Sequence, residues 1–133
     1  MANMEQLCRQ YSKMIGGTGE VKEGICFVTV PRRTLRVTVQ GRKVRTPLVK
    51  AAIFSFDSPG NDGKAINEAN LPLLQSEINK VISEGRRLGL KVGALHNHWV
   101  YVKPLLIGLH FQSVENPLTF AKKMQNILRL IRR

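Results

Sequence analysis

The chain's three histidines, His96, His98 and His110, fall in one short stretch near its C-terminal end. Imidazole titrates near neutral pH, and its neutral form is a good ligand for zinc and similar metals. His96 and His98 are two residues apart, so on a β-strand they point to the same face. Residues Val92–Val102 and Leu105–Gln112 read as two strands of a hairpin. A turn at Val102-Lys103-Pro104 pairs Tyr101 with Leu105, sets His96 opposite His110 and sets His98 opposite Gly108. All three imidazoles then converge on one face, with the glycine leaving room beside His98. A slip of one residue would send His110 to the other face. The apolar pattern favours convergence, because it gathers Trp99, Tyr101, Ile107 and Phe111 on the opposite side. Asn97 falls among them and is expected to bond a backbone loop or helix end, since an unpaired buried amide costs about 1–3 kcal/mol.

Three neighbouring imidazoles can hold zinc or another divalent metal and leave a position open for water. His-x-His on one strand with a third histidine on its neighbour is similar to the ligand layout of alpha-class carbonic anhydrases, in layout and not in fold. Glu77 is the candidate general base or orienting carboxylate. Two other readings stand beside the metal: a metal-free pocket for a small ligand, and a hydrogen-bonded structural cluster. The leading reading is a small-ligand or metal-binding domain, of the metal-dependent hydrolase type if it is an enzyme. His96-Asn97-His98 does not match HNH nucleases, which spread those residue types over a ββα unit.

A second candidate is electrostatic. The chain carries 21 Lys and Arg against 9 Asp and Glu, a formal charge of +12. Arg32, Arg33, Arg36, Arg42, Lys43, Arg45 and Lys50 form a block with no acidic residue from Gly24 to Phe56. That face suits a small anionic ligand, or nucleic acid or another polyanion in a non-enzymatic binding module. It lacks the interleaved aromatics of a single-strand binder. No RNP, KH or helix-turn-helix signature is present. Gly16-Gly17-Thr18-Gly19-Glu20 follows a helix and precedes a strand, the reverse of a phosphate-binding loop.

The elements that must position these groups follow from periodicity. Met4, Leu7, Cys8, Tyr11, Met14 and Ile15 make one helical stripe, closed by Gly16-Gly17-Thr18-Gly19. Ile25–Val30, the alternating stretch through Leu35, Val37 and Val39, and Leu48–Phe56 read as strands. Pro72 opens a central helix that ends at Gly89, and Asn116-Pro117 starts a last helix. The order helix, three strands, helix, two strands, helix predicts one α+β domain over residues 1–133. Its architecture is an antiparallel-rich five-stranded sheet with three helices mainly on one face. No apolar run reaches the roughly 20 residues of a membrane span, so no membrane is expected as partner. Cys8 and Cys26 form no CxxC pair. They read as buried free thiols, which with the absence of a signal-like N-terminus points to the cytoplasm.

Ala94-Leu95-His96-Asn97-His98, Pro104 and His110-Phe111 resemble the LppY/LpqO-like family of uncharacterised bacterial domains. Pro31-Arg32-Arg33, the strand leading to Gly41, and Glu77 fit the same pattern. The resemblance covers most of the chain. It implies a single domain and brings no activity with it.

Overall fold

The computed structural model describes residues 3–131. Helix α1 spans Met4–Ile15, capped by Asn3, whose Oδ1 accepts the N–H groups of Glu5 and Gln6. Gly16, at φ 88°, ends it in the left-handed conformation glycine tolerates. Strands β1 (Thr18–Lys22) and β2 (Ile25–Pro31) follow, then the short β3 (Val37–Val39) and β4 (Arg42–Val44). A one-turn helix α2 (Pro47–Lys50) leads into β5 (Ala51–Asp57) and β6 (Ala65–Leu74). Helix α3 covers Ile78–Arg87, after a 3₁₀ turn at Gln75–Glu77. Strands β7 (Lys91–Asn97), β8 (Val102–Lys103) and β9 (Leu106–Glu115) precede helix α4 (Pro117–Leu128).

Six strands make one antiparallel sheet in the order β1-β2-β5-β6-β9-β7, and β4-β3-β8 make a second, small one. Alternation gives the large sheet two unlike sides. Cys26, Val28, Val30, Phe54, Phe56, Leu71, Leu73, Leu109 and Phe111 form its buried side. They pack with Tyr11, Val81, Phe120, Met124 and Ile127 from α1, α3 and α4. Gly85 of α3 is required by this packing, because the Phe111 ring lies where its Cβ would be. The predicted α+β class, single domain and one-sided helices hold. The other side of the sheet carries Phe27, Ile53, Glu68, Asn70, His110 and Gln112. At one end it meets the small sheet through Leu74 and Leu106, which pack with Val37, Val49 and Val102.

Several local expectations change. The large sheet has six strands rather than five, and the one-turn α2 makes four helices rather than three. Pro72 does not open the central helix; it lies inside β6, paired with Gly108, and α3 starts six residues later. The weak β-formers Asn67, Glu68, Asn70 and Pro72 hide this strand, although Ala65, Asn67, Ala69, Leu71 and Leu73 alternate inward. The glycine-rich turn after α1 runs into β1 at Thr18, and the stretch starting at Leu48 begins as the end of α2. The cysteines are not free: Cys8 and Cys26 are joined at an S–S distance of 2.08 Å. The bond ties the buried face of α1 to β2, which packs directly beneath it. Among the described residues no helix is long and apolar enough to cross a membrane.

Candidate metal centre

The histidines sit on the side of the large sheet that the helices leave uncovered. His96 lies on β7 and His110 on β9. His98 follows β7 directly, where the chain leaves the sheet. The register differs from the sequence expectation by two residues: His96 pairs with Gly108, and His110 pairs with Ala94. A bulge between Val92 and Ala94 accompanies the pairing. The hairpin does not close in a simple turn, because Val102–Lys103 leaves it to pair with β3. A shift of two keeps every side chain on its face, so the three imidazoles still converge. Asn97 is exposed rather than held among apolar side chains, and Tyr101 is 77% exposed rather than part of an apolar row.

The convergence is close. Nε2 of His96 lies 3.0 Å from Nε2 of His110 and 3.1 Å from Nε2 of His98. The rings meet edge to edge, with centroids 4.7, 5.0 and 5.5 Å apart and interplanar angles of 72°, 70° and 55°. One ligand nitrogen from each ring falls within 4.8 Å of the others. Metal–nitrogen bonds of 2.0–2.1 Å in tetrahedral array place nitrogens about 3.4 Å apart. Two of the three separations are therefore close to those of ligands around one ion, and the third lies within 4.8 Å. His96 and His98 are exposed and His110 is half-buried, so the centre opens to solvent.

Two neighbours explain the arrangement. Gly108 lies under the His98 ring: a Cβ there would fall 2.6 Å from its Nε2. The space expected beside His98 is real, although Gly108 is paired in register with His96. On the other flank Asn70 of β6 pairs with His110, and its Oδ1 is buried without a hydrogen-bond partner. Sequence reasoning misses Asn70 because it misses the strand that carries it.

Charge follows from geometry. Burial first, and then the neighbouring charge of His96, pushes the His98 imidazole below its usual range. His110 is lowered by burial, then by His96 and His98. Both are thus held neutral, the form that binds metal. The Nε2 contacts are hydrogen bonds whose donor depends on the tautomer, and a metal would replace their protons.

Glu77 does not belong to this centre. Its carboxylate is buried and grips the buried guanidinium of Arg32 through two hydrogen bonds of 2.7 Å. It also accepts the Leu74 N–H at 2.8 Å, while Arg32 donates to the Pro72 carbonyl at 2.8 Å. That corrects two expectations. Glu77 is not placed as a base, and Arg32 is not part of an anion-binding surface. Arg33, Arg36, Arg42, Lys43 and Arg45 are exposed, as a surface for anions requires, and Lys50 is half-buried. Lys103, absent from the sequence-derived block, joins them, because β8 pairs it with Thr38 of β3.

A family model described as a Domain of Unknown Function (DUF1259) matches residues 9–130. No curated protein and no solved structure matches the chain.

Proposed function

We propose, for a chain that belongs to this DUF1259 family, that His96, His98 and His110 bind one divalent transition metal, with zinc the best fit. One observation carries the reading: three imidazoles bring one ligand nitrogen each within 4.8 Å of the others, with His96 Nε2 at 3.0 and 3.1 Å from its two neighbours. An all-imidazole donor set suits borderline ions, and three protein ligands leave a fourth position for water or substrate. Metal bound in such a site acidifies its water toward neutrality and polarises a carbonyl or phosphoryl oxygen. The protein supplies the orientation. Gly108 lets His98 lie flat, β9 fixes His110, and the open side of the sheet admits a ligand.

The reaction class we infer is metal-assisted hydrolysis. Glu68, exposed on the same side of β6 as Asn70, replaces Glu77 as the nearest carboxylate candidate by strand position. The LppY/LpqO-like resemblance is part of this proposal, since the residues that carry it include His96, His98 and His110. The compartment we infer is an oxidising one, because the Cys8–Cys26 bond removes the free-thiol argument for the cytoplasm.

Elemental analysis and calorimetric titration of chelator-treated protein with zinc, cobalt, nickel and manganese test the reading. One equivalent of metal is expected, lost in His98→Ala and in His110→Ala. Visible absorption of a cobalt-loaded sample should report tetrahedral nitrogen ligation. Failure of all four metals to bind folded protein removes the proposal. Hydrolysis of nitrophenyl acetate and nitrophenyl phosphate, compared with and without metal, tests the reaction class separately.

A further inference from the structure

The small sheet holds a charge arrangement that its own packing does not use. Its inner side, Val37, Val39, Val44 and Val102, packs with Val49, Leu106 and Trp99. Its outer side follows from register. Thr38 pairs with Lys43 on one flank and with Lys103 on the other. Extending the β3–β4 ladder one rung brings Arg36 opposite Arg45, on the same side as Thr38. All four cations are exposed, and among the described residues none of them takes part in an ion pair. No Asp or Glu occurs from residue 24 to 56 or from 85 to 114, the segments that build this sheet. Like charges on neighbouring strands repel. Such a face is stabilised by an anion from outside the chain.

Exposed apolar side chains flank Lys103 along the chain. Val100 is 69%, Tyr101 77% and Leu105 41% exposed. Tyr101 is held at φ 54°, a region bulky residues avoid, and its carbonyl accepts the Gln40 N–H at 3.0 Å. The backbone thus spends strain on a turn that presents an aromatic ring to solvent. Cations together with an exposed tyrosine and aliphatic tips match a lipid interface, where phosphates meet the cations and amphipathic rings sit at headgroup level. A single-stranded nucleic acid calls for successive stacking rings and has no use for Val100 and Leu105. That no helix among the described residues is long and apolar enough to span a membrane bears on insertion, not on surface contact.

We propose that the outer face of the small sheet docks the protein on an anionic lipid surface, with Arg36, Lys43, Arg45 and Lys103 against headgroup phosphates and Val100, Tyr101 and Leu105 in the interface. This stands independently of the metal centre.

Co-sedimentation of the full chain with vesicles tests it, using phosphatidylcholine alone and phosphatidylcholine mixed with phosphatidylglycerol. Binding is expected only with the anionic lipid, and it weakens as salt screens the charges. Each lysine near the surface is worth about 1 kcal/mol, or about fivefold, so Lys43→Ala with Lys103→Ala lowers the partition coefficient about 30-fold. Tyr101→Ala lowers it further and leaves the salt dependence unchanged. Lys22→Ala with Lys64→Ala, two exposed lysines outside this sheet, serves as control and changes it less than about fivefold. Equal losses in the two lysine doubles would mean general attraction to the +12 chain and overturn the proposal. So would tight binding of a single-stranded oligonucleotide by a protein that ignores the vesicles. Circular dichroism melts check the folding of each variant. Arg36→Gln with Arg45→Gln replaces the lysine pair if that double is unfolded.

Discussion

Two polar constellations lie on this scaffold, and they are opposites. Arg32 and Glu77 are buried, of opposite charge, and bonded to each other and to the backbone at Pro72 and Leu74. The histidine triad is open to solvent, built of like groups and, among the described residues, bonded only to itself through contacts whose protons a metal can replace. The first is complete. A buried carboxylate bonded to a guanidinium and a main-chain N–H is occupied by the fold and turned away from a substrate. The second is incomplete until a proton or a metal enters. Residue type alone favours Glu77 as a catalytic carboxylate; the bonds it already makes remove it. A polar cluster becomes a candidate for chemistry by what its own neighbours leave unsatisfied.

The contrast predicts separable losses. Glu77→Ala strands a buried guanidinium and should cost about 3–5 kcal/mol in urea unfolding. Zinc affinity of the folded fraction should stay within about twofold, well inside the tenfold that 1.4 kcal/mol represents. Loss of zinc binding in folded Glu77→Ala protein would break the comparison by showing that the two clusters are coupled. Next in size is the effect of metal itself. Zinc at 100 times its dissociation constant should raise stability by about 2.7 kcal/mol, measured by urea midpoint with and without chelator. His98→Ala and His110→Ala should unfold at nearly the same urea concentration as metal-free wild type and gain nothing from zinc.

A smaller effect sharpens the geometry. Gly108→Ala places a methyl group against the His98 ring and should swing it away. Zinc affinity then falls on the order of tenfold, the scale seen when a ligand loses its orientation. Unchanged affinity in calorimetry would show that His98 does not need its flat seat.

The smallest effect is on pH dependence without metal. His98 and His110 are lowered in the folded protein, so the unfolded chain takes up protons first as pH falls below about 6.5. Their contribution is complete above that pH and shrinks as pH falls toward the folded values. The urea midpoint of metal-free protein should therefore drop between pH 7.5 and 5.5. Replacing both histidines with alanine should flatten that drop. A midpoint that rises on acidification would contradict the lowering of the two imidazoles.

The sequence by itself determined the quantities that depend on local period. The helical stripes of α1 and α4, the cap at Asn116, and the α+β class are read from neighbours along the chain. So is the shared face of His96 and His110, which rests on strand parity that a slip of two residues leaves untouched. His98 lies beyond the end of β7 and joins them over Gly108, where the chain leaves the sheet. Tertiary structure decided the rest. The absolute hairpin register shifted because β8 is drawn into pairing with β3, some 65 residues earlier in the chain. β6 is a strand because β5 and β9 flank it and its inward side is buried, not because its residues favour extension. The Arg32–Glu77 pair spans 45 residues and the Cys8–Cys26 bond 18. Lys103 joins the cationic face through the same pairing that moved the register. Local spacing sets which way a side chain points. What it meets there is set by contacts between distant segments, whose closure a one-dimensional pattern does not record.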